Sequence, residues 1–123
     1  PHHFSSAASD VYKRQPWGSY TNLYNGKNFL MKELYVKSKG ILSLQKHFHR
    51  SEHWLVTQGK PKITLNKKVF YKKVNEATFI PLGAIHRIEN PFKKPVKIIE
   101  AQLGSILKET DIVRYQDIYG RIK

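Results

Sequence analysis

The chain has 123 residues, 40% of them hydrophobic and 25% charged, and its 22 Lys and Arg against 9 Asp and Glu give a formal net charge of +13. That length suits one domain with one core, and the lack of any cysteine excludes disulfides and thiolate metal ligands. No apolar run approaches the roughly 20 residues of a membrane span and no charged-then-apolar leader opens the chain, so a cytoplasmic protein is expected.

Residues 1–15 show neither strand nor helix periodicity and read as a non-native or disordered leader, which leaves one domain at 16–123. Residues 29–36 are rich in aromatic and aliphatic side chains and close on Lys37-Ser38-Lys39-Gly40, so they predict a strand and a turn. Gln45, His47 and His49 then alternate along the next segment. Alternate side chains of an extended strand share a face, so all three are expected to point inward, with Arg50-Ser51 as a short corner before Glu52. Residues 53–58 and 60–65 flank Gly59, and Asn66-Lys67 turns the chain into 69–74. Strands at 78–80, 84–89 and 96–103 follow, separated by Pro81, Gly83, Pro91 and Pro95. At the tail, 111–114 reads as a helical turn and 116–119 as a packing strand. Short strands at regular spacing with almost no helical period predict an all-β barrel or sandwich.

Pro81-Leu82-Gly83-Ala84-Ile85-His86-Arg87-Ile88-Glu89-Asn90 has the form P-x-G-x-x-H-x-x-x-N. Its proline and glycine turn the chain sharply into a strand whose first inward position is an imidazole. One histidine cannot hold a metal, and candidate partners stand about 40 residues upstream, where six residues separate Glu52 from Gly59 and four separate His47 from Glu52. The two segments together resemble the paired motifs of the cupin β-barrels, with Gln45 standing where the first histidine of H-x-H is usual. Pairing His47 with His49 instead leaves two residues before Glu52, which is too short. The resemblance implies an all-β cupin double-stranded β-helix, a jelly-roll barrel, and a ligand set of Gln45, His47, Glu52 and His86. Two imidazoles, a carboxylate and an amide oxygen suit a divalent metal, zinc above all, and leave room for water or substrate. The plain alternative is a solvated strand of alternating histidines, which the joint spacing disfavours.

Gln45-x-His47-x-His49-Arg50-x-Glu52-His53-Trp54, Ile80-Pro81-Leu82-Gly83-x-x-His86-Arg87-Ile88-Glu89-Asn90-Pro91 and Asp111-Ile112-Val113-Arg114-x-x-Asp117-x-Tyr119-Gly120-Arg121 are similar to the C-terminal domain of type II phosphomannose isomerases. Pro16-Trp17-Gly18-Ser19-Tyr20 resembles that family's R-P-W-G-x-Y segment, with Gln15 in the arginine position. Lys46 is a second departure, since a neutral residue is more usual beside the ligands. In that family the domain usually follows a mannose-1-phosphate guanylyltransferase domain, so one is expected in a parent protein. Guanylyl transfer is not expected of this chain, which has no glycine-rich phosphate loop.

The resemblance implies a metal-dependent isomerisation between mannose 6-phosphate and fructose 6-phosphate, serving sugar-nucleotide and polysaccharide biosynthesis. His49 or a metal-linked water would be the base. Lys32 and Arg50 would neutralise enediolate or phosphate charge, and Arg114 would join them at the phosphate. Arg87 alternates with His86 and should face away from the metal. Trp54 reads as core before substrate platform, and Glu100 and Gln102, alternating on the last long strand, read as structural residues first with pocket lining as the alternative. The positive charge favours an acidic ligand such as a sugar phosphate. Its Lys67-Lys68, Lys72-Lys73 and Lys93-Lys94 pairs read as solvated surface, and nucleic acid is disfavoured because no recognition helix is predicted. A homodimer through edge strands is expected. Two other readings stay open here, a non-catalytic sugar-phosphate-binding cupin and a different metal cupin such as an iron oxygenase.

Overall fold

A computed structural model describes residues 12–122, all strand, turn and loop. The strands in chain order are β1 (Tyr12–Gln15), β2 (Gly18–Gly26), β3 (Phe29–Val36), β4 (Leu44–Lys46), β5 (Arg50–Gln58), β6 (Lys62–Leu65), β7 (Lys68–Tyr71), β8 (Ala77–Ile80), β9 (His86–Glu89), β10 (Val96–Gly104) and β11 (Val113–Gln116). They form two antiparallel sheets, ordered β1-β2-β3-β10-β5-β8 and β11-β4-β9-β6-β7. No helix among the described residues is long and apolar enough to cross a membrane.

The long strands follow the two-residue period that buries one face. On β10, Val96, Ile98, Glu100 and Gln102 are buried while the residues between them are more exposed. β5 does the same with Arg50, Glu52, Trp54 and Val56. Val36, Val56, Ile63, Ile88, Val96 and Ile98 are each at most 1% exposed and, with the other apolar inward residues, fill one half of the space between the sheets. Buried polar residues fill the other half, on the same strands.

Turn chemistry sets where these strands start. Asn28 and Asn66 take positive φ between β2 and β3 and between β6 and β7, a conformation asparagine tolerates better than most residues. Gly59 ends β5 at φ +81, and a Cβ there would lie 2.5 Å from Pro95 O, so only glycine fits. Gly83, at φ 79, completes the turn from Pro81 into β9. Asn90 closes the same motif from inside the protein, donating through Nδ2 to Val36 O, Lys37 O and Lys94 O and accepting from Phe92 N. The asparagine of P-x-G-x-x-H-x-x-x-N is therefore a buried turn anchor.

Three expectations need correction. Residues 1–11 of the expected leader lie outside the described residues, but Tyr12–Gln15 pair with Gly18–Thr21 as an outer strand. Their exposed side chains carry no hydrophobic period, because main-chain pairing and not burial orders them. The β2 strand was also not foreseen, since its outer half is exposed on both faces. At the tail, the expected helical turn over 111–114 is replaced by β11, because the open edge of β4 takes Val113, Arg114 and Gln116 into its ladder.

Candidate metal centre

Three neighbouring elements deliver the ligand-capable side chains. His47 follows β4, Glu52 is on β5 and His86 opens β9, with Gln45 of β4 directly opposite His86. One ligand atom from each of His47, Glu52 and His86 lies within 4.8 Å of the other two, and all three residues are buried. His47 Nε2 is 3.3 Å from Glu52 Oε2, and His86 Nε2 is 3.8 Å from Glu52 Oε1.

The bonds behind the rings decide which nitrogen is free. A peptide carbonyl can only accept, so His47 Nδ1 donates to Asp111 O at 2.6 Å and His86 Nδ1 donates to Ala84 O at 3.0 Å. Both rings thus turn an Nε2 lone pair toward Glu52, the tautomer a metal requires. Burial first and the Arg50 charge next push His47 down to about 4, and burial lowers His86 as well. Both imidazoles are neutral at pH 7. Two neutral imidazoles and a carboxylate fit a divalent cation. Gln45 commits its Nε2 to Ser43 O and Ser43 Oγ, at 3.3 and 3.1 Å, which leaves the carbonyl oxygen as the atom it could offer a cation.

Glu52 is held from both sides. Arg50 Nε donates to Oε2 at 2.8 Å, and Trp54 Nε1 donates to Oε1 at 3.0 Å. The Arg50 guanidinium also sits 3.1 Å from His47 Nε2. Trp54 Nε1 reaches Glu100 Oε2 as well, at 3.0 Å, and Gln102 Nε2 donates to Glu100 Oε1 at 2.8 Å. Burial, reinforced by Glu52, pushes Glu100 up to about 7. Lys32, buried beside this wall, pairs with Glu109 and lies 4.0 Å above the Tyr20 ring.

One cavity therefore collects Gln45, His47, Glu52, His86, Lys32, Arg50 and Arg114. Arg114 stands opposite Gln45 in the β11–β4 ladder, and its Nε meets no partner among the described residues. The expectation that fails is His49. Its side chain is 48% exposed and pairs with Asp111 at 3.2 Å, outside the cavity wall. The physical reason is that β4 ends at Lys46. The chain then bends over Asp111, whose carboxylate takes the Phe48 and His49 N–H groups at 3.0 Å each, and the two-residue alternation is lost. Arg87 donates to Leu42 O at 2.9 Å and reaches Gln116, and it also lines the cavity, which the strand alternation with His86 did not lead one to expect.

Glu100 and Gln102 were read as structural, yet both line the cavity. The signal was present as two polar residues continuing the inward alternation of Val96 and Ile98. Trp54 is buried as expected and also hydrogen-bonds two cavity carboxylates. Asp111 and Glu109 could not be found by spacing, because a loop brings them over the barrel mouth. Gln15 lines the cavity too, where it meets Arg121 at 3.5 Å.

The family model for the mannose-6-phosphate isomerase C-terminal domain matches residues 2–117. The alginate biosynthesis protein AlgA of Pseudomonas fluorescens is 47% identical over 112 residues, covering 91% of this chain and 23% of that protein. The mannose-1-phosphate guanylyltransferase ManC of Salmonella typhimurium is 44% identical over 113 residues, covering 92% of this chain and 23% of that protein. The chain thus spans about 23% of the length of the curated relatives it matches. Among solved structures, the cupin domain of Schizosaccharomyces pombe Cnp3 has a TM-score of 0.67 at 18% identity, covering 70% of this chain and 64% of that one. The barrel is accordingly a cupin, and the chain belongs to the mannose-6-phosphate isomerase C-terminal family.

Proposed function

We propose that this cavity takes a hexose 6-phosphate and interconverts mannose 6-phosphate and fructose 6-phosphate by moving one proton between C1 and C2 and a second between their oxygens. The supporting observation is the His47, Glu52 and His86 cluster sharing one cavity with Lys32, Arg50 and Arg114, in a chain of this family. A divalent ion, zinc in first place, held by these three residues with Gln45 as fourth donor, would polarise the sugar oxygens and acidify the carbon-bound proton. Lys32 and Arg114 bind the phosphate, and Arg50 offsets enediolate charge. With the His49 ring outside the cavity, Glu100 takes over as proton carrier. It faces the cavity and its carboxyl titrates near neutrality, at about 7. The guanylyltransferase name of the Salmonella relative supports a parent protein in which this domain is joined to a guanylyltransferase domain.

The test is a coupled assay on mannose 6-phosphate with metal removed and restored. Turnover should vanish on chelation, return with zinc, and fall by roughly 100-fold or more in Glu100→Gln with metal content unchanged. Turnover that survives complete metal removal and His86→Ala sinks the metal-assisted reading. Hexose phosphate binding without turnover under zinc, cobalt, manganese and iron would instead identify a sugar-phosphate-binding domain.

A further inference from the structure

Gln102 is fully buried at 0% exposed, lines the cavity, and has an Oε1 atom that no donor among the described residues reaches. Its amide is not free to rotate at random. Nε2 donates to Glu100 Oε1 at 2.8 Å, which fixes the amide's orientation and leaves Oε1 as its unpaired atom. A buried acceptor without a donor keeps its desolvation cost, so a fold that keeps one on a residue lining a cavity has reason to pair it with a ligand.

The neighbours say what kind of ligand. Gln102 lies opposite Glu52 in the β10–β5 ladder, and Glu100 lies opposite Trp54. Trp54 Nε1 is already shared between Glu52 Oε1 and Glu100 Oε2. The donors that border this wall, Trp54 Nε1, Arg50 Nε and Lys32 opposite Glu100, are already paired with carboxylates, so none of them is left for Gln102 Oε1. A phosphate, which brings acceptor oxygens, would be repelled here and belongs with Lys32 and Arg114. A polyol brings O–H donors and matches the wall.

We infer that Gln102 is a substrate-selecting residue whose side-chain carbonyl accepts a hydrogen bond from one hydroxyl of the bound sugar. The inference rests on the hexose phosphate reading above and adds an orientation to it. The phosphate lies toward the cations, and the hydroxyl-bearing chain lies along β10. Selection follows because an analogue lacking that hydroxyl leaves Oε1 unpaired.

The experiment is calorimetric binding to the zinc-loaded chain, using fructose 6-phosphate, hexose 6-phosphates lacking one hydroxyl at a time, and inorganic phosphate. In the wild type one deoxy compound should bind about tenfold more weakly than its parent. Gln102→Met should bind the parent about tenfold more weakly, lose nothing further with that same deoxy compound, and keep its affinity for inorganic phosphate. Additive losses, or an unchanged Gln102→Met, overturn the inference while the hexose phosphate reading stands. Should Gln102→Met fail to fold, the wild-type deoxy series decides, and a series without a weak member overturns the inference. A wild-type chain that binds inorganic phosphate but no hexose phosphate removes both.

Discussion

The two halves of the barrel interior are built from the same strands and do opposite work. Along β10 the inward residues run Val96, Ile98, Glu100, Gln102, and antiparallel pairing sets Ile98 against Val56 but Gln102 against Glu52. On β3 the inward run from Val36 and Leu34 reaches Lys32, and on β9 Ile88 gives way to His86. Burial of an aliphatic side chain contributes about 1.5–3 kcal/mol, so the apolar half supplies stability. The polar half buries His47, Arg50, Glu52, His86 and Glu100, and buried charges cost desolvation that their pairing only partly returns. The candidate site thus sits on a polar half that costs stability, on the same strands that carry the apolar half.

The sharpest way to break that division is a crossed pair of variants. His86→Ala should weaken zinc binding by more than the roughly 10–100-fold that loss of an outer-sphere partner costs, while the metal-free chain stays folded. Ile98→Ala, at a site 0% exposed, should lower unfolding free energy by about 2–5 kcal/mol and leave zinc stoichiometry unchanged at low temperature. Metal titration and urea unfolding of both proteins check this. If Ile98→Ala loses metal while folded, or His86→Ala destabilises as much as Ile98→Ala, the halves are not separable.

A smaller effect concerns pH and comes from the polar half alone. In the metal-free chain His47 is lowered to about 4 from 6.5 and His86 is lowered too, so the unfolded state binds more protons there and stability falls as pH drops from 6.5 toward 4. Glu100 is raised from 4.5 to about 7, so its contribution is full below 4.5 and is lost as pH rises to about 7. The two trends oppose each other. Glu100→Gln removes one of them, and its stability should fall on acidification from pH 6.5 to 4.5 more steeply than the wild type's, by about 1 kcal/mol per pH unit. Urea unfolding in chelator across that range measures it. Parallel wild-type and variant profiles would show that Glu100 is not held protonated.

What could be read from the sequence divides along the same line. β3 and β10 were legible because each keeps a two-residue period over eight or nine residues, and β5 was legible only from His53 on, since Arg50 and Ser51, expected as a corner, open the strand. The His47, Glu52 and His86 cluster was legible because Glu52 and His47 stand at the counted distances before Gly59, and His86 at its distance after Pro81 and Gly83. His49 was misread because the alternation was extended past Lys46, where β4 stops and tertiary contact with Asp111 takes over. β1 was missed because it is ordered by pairing with β2 and buries little. Glu100 and Gln102 were read as structural because a strand pattern shows which face is buried but not which half of the barrel that face lines.

The smallest predicted effect tests the loop between β10 and β11, where Asp111 holds the 47–49 corner. Burial would raise the Asp111 carboxyl, but the Phe48 and His49 N–H groups more than offset it and hold the group below its ordinary 3.8. The same residue's carbonyl takes His47 Nδ1. Asp111→Ala therefore removes two hydrogen bonds to backbone N–H groups while keeping the carbonyl that orients His47. The expected cost is about 1–3 kcal/mol at pH 7, at the low end because His49 beside it is open to solvent. Because the folded-state value is depressed, that stability is present above pH 3.8 and is lost only as pH falls below it, so wild type and variant should converge in acid. Zinc affinity should drop less than in His86→Ala, since the ligand atom and its tautomer survive. A loss of metal binding equal to that of His86→Ala would mean that the 47–49 corner, and not the carbonyl alone, sets the His47 ring.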